Sequence, residues 1–223
     1  MPLDLQKSLG ASLFNRYIMI EELKLKKTSD TVFIIGGGSS LSKYLPDKTI
    51  LEGKDIICTN NAYQLYPNAM ILFFMDKVWF EKHDKTIKET FKGIPITCDS
   101  HLKKFFHDNG INYIFNRGPK NGLSENPDKL NGTNSGAMAI NLAVLMGYKK
   151  IVLLGFDMNK DAKTLHWHPP HFRPSNTDRY ATHFLPGMNS IAPFQEKFDF
   201  KIYNINKESA ITCFEFAELE KFL

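Results

Sequence analysis

The stretch Thr31-Val32-Phe33-Ile34-Ile35-Gly36-Gly37-Gly38-Ser39-Ser40-Leu41 constrains what this chain can fold into more than any other. An apolar run rich in β-branched residues enters a triple glycine, then a Ser-Ser-Leu that can open a helix. Glycine permits a tight strand-to-helix turn and leaves no Cβ between the backbone and a bound group. Amides freed at the start of the following helix point at any anion placed there. Such a turn is built to cradle a phosphate, with Gly36, Gly37, Gly38, Ser39 and Ser40 as its residues; the same pattern also serves as a plain βα turn. Leu41 stands where a dinucleotide fingerprint has its third glycine, and no Gly-Lys-Ser/Thr follows, which argues against a P-loop.

The rest of the chain repeats the strand-then-helix theme. Asp55–Thr59 and Ala69–Met75 are continuously apolar, as strands covered on both faces of a parallel sheet are. Further strands are expected at Ile94–Cys98, Tyr113–Phe115, Ile151–Leu154 and Phe200–Ile205. Helices are expected over residues 5–25, Glu81–Phe91, Ser100–Asp108, Ser135–Met146 (with Ser135 as cap) and Glu208–Phe222. The polar stretch Asn116–Asn134 carries the turn signals Arg117-Gly118-Pro119, Asn121-Gly122 and Asn131-Gly132, and reads as a long functional or mobile loop. Alternating strands and helices predict an α/β fold. The expected organisation is an N-terminal helix over 1–30 and one Rossmann-like domain over 31–223. That domain has a mainly parallel sheet, helices on both faces, and an irregular lid at about 157–193.

A hydrophobic share of 43% and a charged share of 23% are those of an ordinary globular protein. The net charge of +4 suits an anionic small molecule but supplies no basic tract for nucleic acid. Cys58, Cys98 and Cys213 are too few and too far apart for a disulfide framework, which points to a reducing compartment. With no apolar leader and no spanning segment, a cytoplasmic location is expected.

In open α/β sheets ligands sit beyond the carboxyl ends of the strands. Those ends here deliver Gly36–Ser40, Asn60-Asn61, Asp76 and Gly155-Phe156-Asp157. Asn60 and Asn61 offer amide groups for a base, ribose or sugar hydroxyl, and asparagine equally favours turns. Thr133-Asn134-Ser135-Gly136 opens a helix facing the same crevice and could hold a phosphate, carboxylate or sugar ring. His166, His168 and His171 have an alternative meaning as metal ligands. His183 is a candidate general base, and Arg179 and Tyr180 are candidate donors to a leaving phosphate.

The order Gly36-Gly37-Gly38-Ser39-Ser40-Leu41, Cys58-Thr59-Asn60-Asn61, Thr133-Asn134-Ser135-Gly136 and Leu154-Gly155-Phe156-Asp157 resembles bacterial sialyltransferases of glycosyltransferase family 42. It also resembles proteins related to 6-hydroxymethylpterin pyrophosphokinase. The sialyltransferase likeness implies a cytidine monophosphate-sialic acid donor along the glycine turn, Asn60/Asn61 and the Ser135 helix start. It further implies His183 as base, no metal, and a glycan acceptor. Two departures stand out. The loop Met158–Lys163 lacks that family's tyrosines, leaving Tyr180 as substitute, and Asp76 replaces an asparagine. The expected function is therefore a nucleotide-sugar-dependent glycosyltransferase. Its alternatives are a magnesium-dependent pyrophosphokinase of a pterin-like alcohol, with Asp76 and Asp157 on the metal, and a non-catalytic nucleotide- or glycan-binding protein. Homo-oligomerisation stays open.

Overall fold

In a computed structural model the chain is described over residues 19–159, 166–168 and 178–223. Eight strands form one sheet, in the order Glu215–Phe216, Lys201–Asn204, Lys150–Leu154, Thr31–Ile35, Asp55–Thr59, Ile71–Phe74, Ile94–Thr97, Tyr113–Ile114. They are β1 (Thr31–Ile35), β2 (Asp55–Thr59), β3 (Ile71–Phe74), β4 (Ile94–Thr97), β5 (Tyr113–Ile114), β8 (Lys150–Leu154), β9 (Lys201–Asn204) and β10 (Glu215–Phe216). Every pairing in the sheet is parallel.

Period-two alternation divides the apolar side chains between two cores. Phe33, Ile35, Ile56, Cys58, Leu72 and Phe74 face one side, where Phe80 and Ile87 of helix Lys77–Thr90 and Phe106 of helix Lys103–Asp108 cover them. Val32, Ile34, Ile57, Ile71, Phe73, Ile151 and Leu153 face the other, under Ile20, Leu23 and helix Ser135–Leu145. Both faces are covered, which is why the strand sequences read as unbroken apolar runs. The helix Ser135–Leu145 is itself buried along most of its length, from Gly136 to Ala143.

The topology positions the site. From β1 the chain steps outward through β2, β3, β4 and β5, with its connections on the first face. It then crosses the second face through Ser135–Leu145 and lands as β8 on the far side of β1. Thr31–Ile35 thus pairs with Asp55–Cys58 on one flank and with Lys150–Leu154 on the other. β1 and β8 are neighbours, and a crevice opens beyond their carboxyl ends.

Two segments differ from expectation. Glu208–Phe222 does not form a helix; it contains β10 and a short turn at Leu219–Phe222. Ser209 directs its hydroxyl to the Phe156 carbonyl at 2.6 Å, and the Ala210 amide donates to Asp157 O at 2.9 Å, which holds the chain extended toward β9. Asn116–Asn134 is also not structureless. It holds β6 (Asn116–Arg117) paired in parallel with β7 (Lys129–Leu130). Of the expected N-terminal helix, residues 1–18 lie outside the described residues, while 19–24 are helical.

Candidate functional site

A cavity of about 730 Å³ occupies the crevice. Its sheet-side wall is the glycine turn, Thr59, Asn60, Asp76 and the Gly155–Asn159 segment. The rest of the lining comes from segments beyond the strand ends: Arg117, Gly118 and Lys120, then Thr133, Asn134, Ser135 and Gly136, then Arg179, Tyr180, His183 and Phe184.

The glycine turn is shaped first by the protein's own packing. A Cβ on Gly36 would sit 2.5 Å from the Gly155 carbonyl oxygen, because the ends of β1 and β8 nearly touch. The Gly38 amide donates to that same carbonyl at 2.8 Å. A Cβ on Gly38 would lie 2.5 Å from the Asp157 carboxyl carbon. Asp157 is what the turn encloses: its carboxylate accepts from the Ser40 amide at 2.9 Å, from the Ser40 and Ser39 hydroxyls, and from Asn206 Nδ2 at 2.9 Å. An internal carboxylate thus already occupies the amide that the sequence offered to a phosphate. Leu41, in place of a third glycine, packs against Gly155, whose φ of +71° needs glycine.

The two asparagines part company. Asn60, with φ of 48°, lines the cavity, and its Oδ1 accepts from the Ser135 hydroxyl at 3.4 Å. Asn61 turns away and accepts from the Trp79 indole at 2.6 Å. Asp76 lines the cavity while capping its helix through the Trp79 amide at 3.0 Å. At the second helix start the cap is Asn134, not Ser135: its Oδ1 accepts from the Ala137 amide at 3.0 Å, leaving the Ser135 hydroxyl on Asn60. Gly136 is required by Phe156, whose ring would stand 2.6 Å from an added Cβ.

The histidine segment docks on the glycine turn. His166 bridges Gly38, Trp167 N donates to Gly37 O at 3.2 Å, and its indole nitrogen to Gly36 O at 3.4 Å. His166 and His168 stack with centroids 5.0 Å apart. Burial, then the neighbouring His168, lowers the pKa of His166, favouring the neutral imidazole. Among the described residues no group of three or more His, Cys, Asp or Glu is arranged to hold a metal ion. His171 lies outside the described residues.

His183 belongs to a wide helical turn, Tyr180–Phe184, that faces the cavity, with its Nδ1 at 2.7 Å from the Thr182 hydroxyl. Burial and the nearby Asp157 charge raise the Tyr180 pKa, so its phenol stays protonated and can donate. The structure therefore gathers Gly36–Gly38, Asn60, Asp76, Thr133–Gly136, Asp157, His166, Arg179, Tyr180 and His183 around one cavity and leaves Ser39, Ser40 and Asn61 off its lining. Sequence reading missed Arg117 and Lys120 as lining residues. Their only sequence signal is the Arg117-Gly118-Pro119 turn in a stretch that reads as a loop.

The cysteines are free thiols: Cys58 and Cys98 are buried, and burial pushes Cys98 up to about 12 and Cys213 to about 11. No helix among the described residues is long and apolar enough to cross a membrane.

Fold and crevice together define a single α/β unit with a mainly parallel sheet and a ligand-sized cavity at its switch point. Among solved structures, that architecture is similar to those of sialyltransferases. The monofunctional alpha-2,3-sialyltransferase Cst-I from Campylobacter jejuni superposes with a TM-score of 0.58 at 14% identity, over 87% of this chain and 82% of its own. The alpha-2,3/8-sialyltransferase CstII F91Y mutant gives 0.51 at 16%, over 84% and 86%. The apo form of an alpha-2,3-sialyltransferase from Campylobacter jejuni gives 0.50 at 16%, over 86% and 81%. No protein-family model matches the sequence, and no curated protein matches it. At such identities the likeness is one of fold.

Proposed function

We propose that this chain is a glycosyltransferase, sialyltransferase-like, that moves a sugar from a nucleotide donor to a glycan hydroxyl. One observation carries the reading: the cavity at the β1/β8 switch point joins Asn60, the Thr133–Gly136 helix start and the His183 turn on a sialyltransferase-like fold. Cytidine monophosphate-sialic acid is the donor that this likeness suggests.

Asn60 and the backbone at Gly37, the one glycine of the turn that is not buried, hold the nucleotide, and Ser135 and Gly136 contact the donor sugar. With Nδ1 beside Thr182, the other ring nitrogen of His183 takes the proton from the acceptor hydroxyl. The acceptor oxygen then bonds to the anomeric carbon as the bond from that carbon to the phosphate oxygen breaks. The departing nucleotide keeps the electron pair, and the protonated Tyr180 phenol and the Arg179 guanidinium stabilise its charge. Tyr180 thereby does the work for which the sequence offers no other tyrosine in that wall.

The pyrophosphokinase alternative draws little from the site. Asp157 is surrounded by Ser39, Ser40 and Asn206, and Asp76 caps a helix, so neither is a carboxylate held open for a phosphate-bound cation.

The test is His183→Ala, assayed for transfer from labelled cytidine monophosphate-sialic acid to a glycan panel and for nucleotide affinity by calorimetry. Lost turnover at unchanged affinity is expected. Equal turnover in variant and wild type removes His183 as base, and nucleotide binding without turnover in the wild type favours the non-catalytic alternative.

A further inference from the structure

The segment that the sequence presents as a loop, 116–134, is a braced arm. Asn141, fully buried on the helix Ser135–Leu145, accepts from the Ser124 amide at 2.9 Å and the Asn131 amide at 2.8 Å, and donates to Ser124 O at 3.1 Å. The Gly118 amide donates to Leu130 O at 2.9 Å, the Gly132 amide to Pro119 O at 3.1 Å, and Asn116 Nδ2 to Asp128 Oδ2 at 2.8 Å. A side chain on Gly118 would run into Asn131, so the two limbs of the arm lie in direct contact.

The arm is also fixed to the His183 wall. The Gly122 amide donates to the Ser190 hydroxyl at 2.8 Å, and Gly187 packs against Thr133 with no room for a Cβ. Arm and His183 segment are thus tied together at one side of the cavity. That side presents Arg117, Lys120 and Arg179, and none of the three has an ion-pair partner among the described residues. Lysines elsewhere are commonly paired, as Lys43 is with Glu208, Lys149 with Asp199 and Lys197 with Glu125. The cavity's carboxylates, Asp76 and Asp157, come from the sheet side and are engaged there.

Cations held by a hydrogen-bonded backbone at the cavity, without ion-pair partners among the described residues, form a receptor for an anion brought by the ligand. Arginine adds a planar fork that fits carboxylate, sulfate or phosphate with two parallel hydrogen bonds. We infer that Arg117 and Lys120 determine acceptor specificity, selecting a saccharide that carries an anionic group near the reacting hydroxyl. This rests on the reading above, in which Arg179 and Tyr180 serve the departing phosphate, so that Arg117 and Lys120 are left for the acceptor.

The experiment is calorimetric titration of lactose, its sulfate ester and a uronic-acid disaccharide into the wild type and the doubly substituted Arg117→Gln/Lys120→Gln protein. Each is run with and without saturating cytidine monophosphate, and Lys85→Gln, distant on its helix, serves as control. Both exposed positions tolerate glutamine, and an unchanged melting temperature verifies this. The wild type is expected to bind both acidic saccharides at least about tenfold more tightly than lactose, and the double variant to lose that preference while binding the nucleotide as before. An anion preference that survives in the double variant overturns the inference. So does equal or absent binding of all three saccharides to the wild type. A parallel fall in nucleotide affinity also overturns it, by assigning the cations to the donor. Failure of the nucleotide to bind the wild type counts instead against the functional reading, and the titrations without nucleotide still decide the role of the cations.

Discussion

The two walls of the cavity solve opposite problems. The β1/β8 wall satisfies itself: Gly36 and Gly38 close on Gly155, and Asp157 gathers Ser39, Ser40 and Asn206. The arm and His183 wall is braced from behind by Asn141 and Ser190 but turns Arg117, Lys120, Arg179 and His183 outward into the cavity. A conspicuous glycine motif can thus be mainly architecture, while a stretch that reads as loop carries the groups left over for a ligand.

That contrast can be broken by substitution. The largest effect expected is on turnover: removal of the base in His183→Ala lowers kcat by about 10²–10⁴-fold with little change in stability, read by transfer assay and thermal melting. A loss of folding as large as the loss of rate would place His183 among the architectural residues. On the other wall, Gly36→Ala drives a methyl into a backbone carbonyl that cannot move without parting β1 from β8. A loss of about 1–3 kcal/mol is expected in urea unfolding, with or without ligand. Asn141→Ala leaves one buried and two partly buried backbone groups without partners and is expected to cost about 1–3 kcal/mol. It also weakens acidic saccharides more than nucleotide, because the arm loses its brace. Equal weakening of both would mean that the walls are not independent.

A smaller effect comes from pH. Burial first, and then His168, holds His83 and His166 below their ordinary value of 6.5. The folded protein then binds fewer protons than the unfolded chain, so stability is full above that value and falls as pH drops through it toward the depressed pKa values. Melting temperature should therefore decline between about pH 7 and pH 5, with a shallower decline in His166→Gln. An unchanged slope in that variant would remove His166 from the cause.

Much of the fold is legible because the strands are short, apolar and separated by helix signals: Asp55–Thr59 is found as expected, and β8 starts one residue before the expected Ile151–Leu154. The failures have physical causes. Glu208–Phe222 has helix-like spacing, but the Ser209 hydroxyl and the Ala210 amide find better partners in Phe156 and Asp157, which no local pattern encodes. Asn116–Asn134 hid a strand pair of two residues each, too short for periodicity to register. At the site, Asn60 and Asn61 are adjacent and chemically identical, and only the position of Trp79 decides which one faces the cavity. The glycine turn was correctly placed, yet its partner Asp157 arrives from over a hundred residues away.

In a nucleotide-sugar cavity of this shape Asn60 contacts the ligand and Asn61 does not. Calorimetric titration of cytidine monophosphate into the wild type, Asn60→Ala and Asn61→Ala tests this directly. Binding to the wild type, weakened about tenfold or more in Asn60→Ala and retained in Asn61→Ala, is the predicted result. No binding to the wild type, or equal weakening by both substitutions, would contradict it.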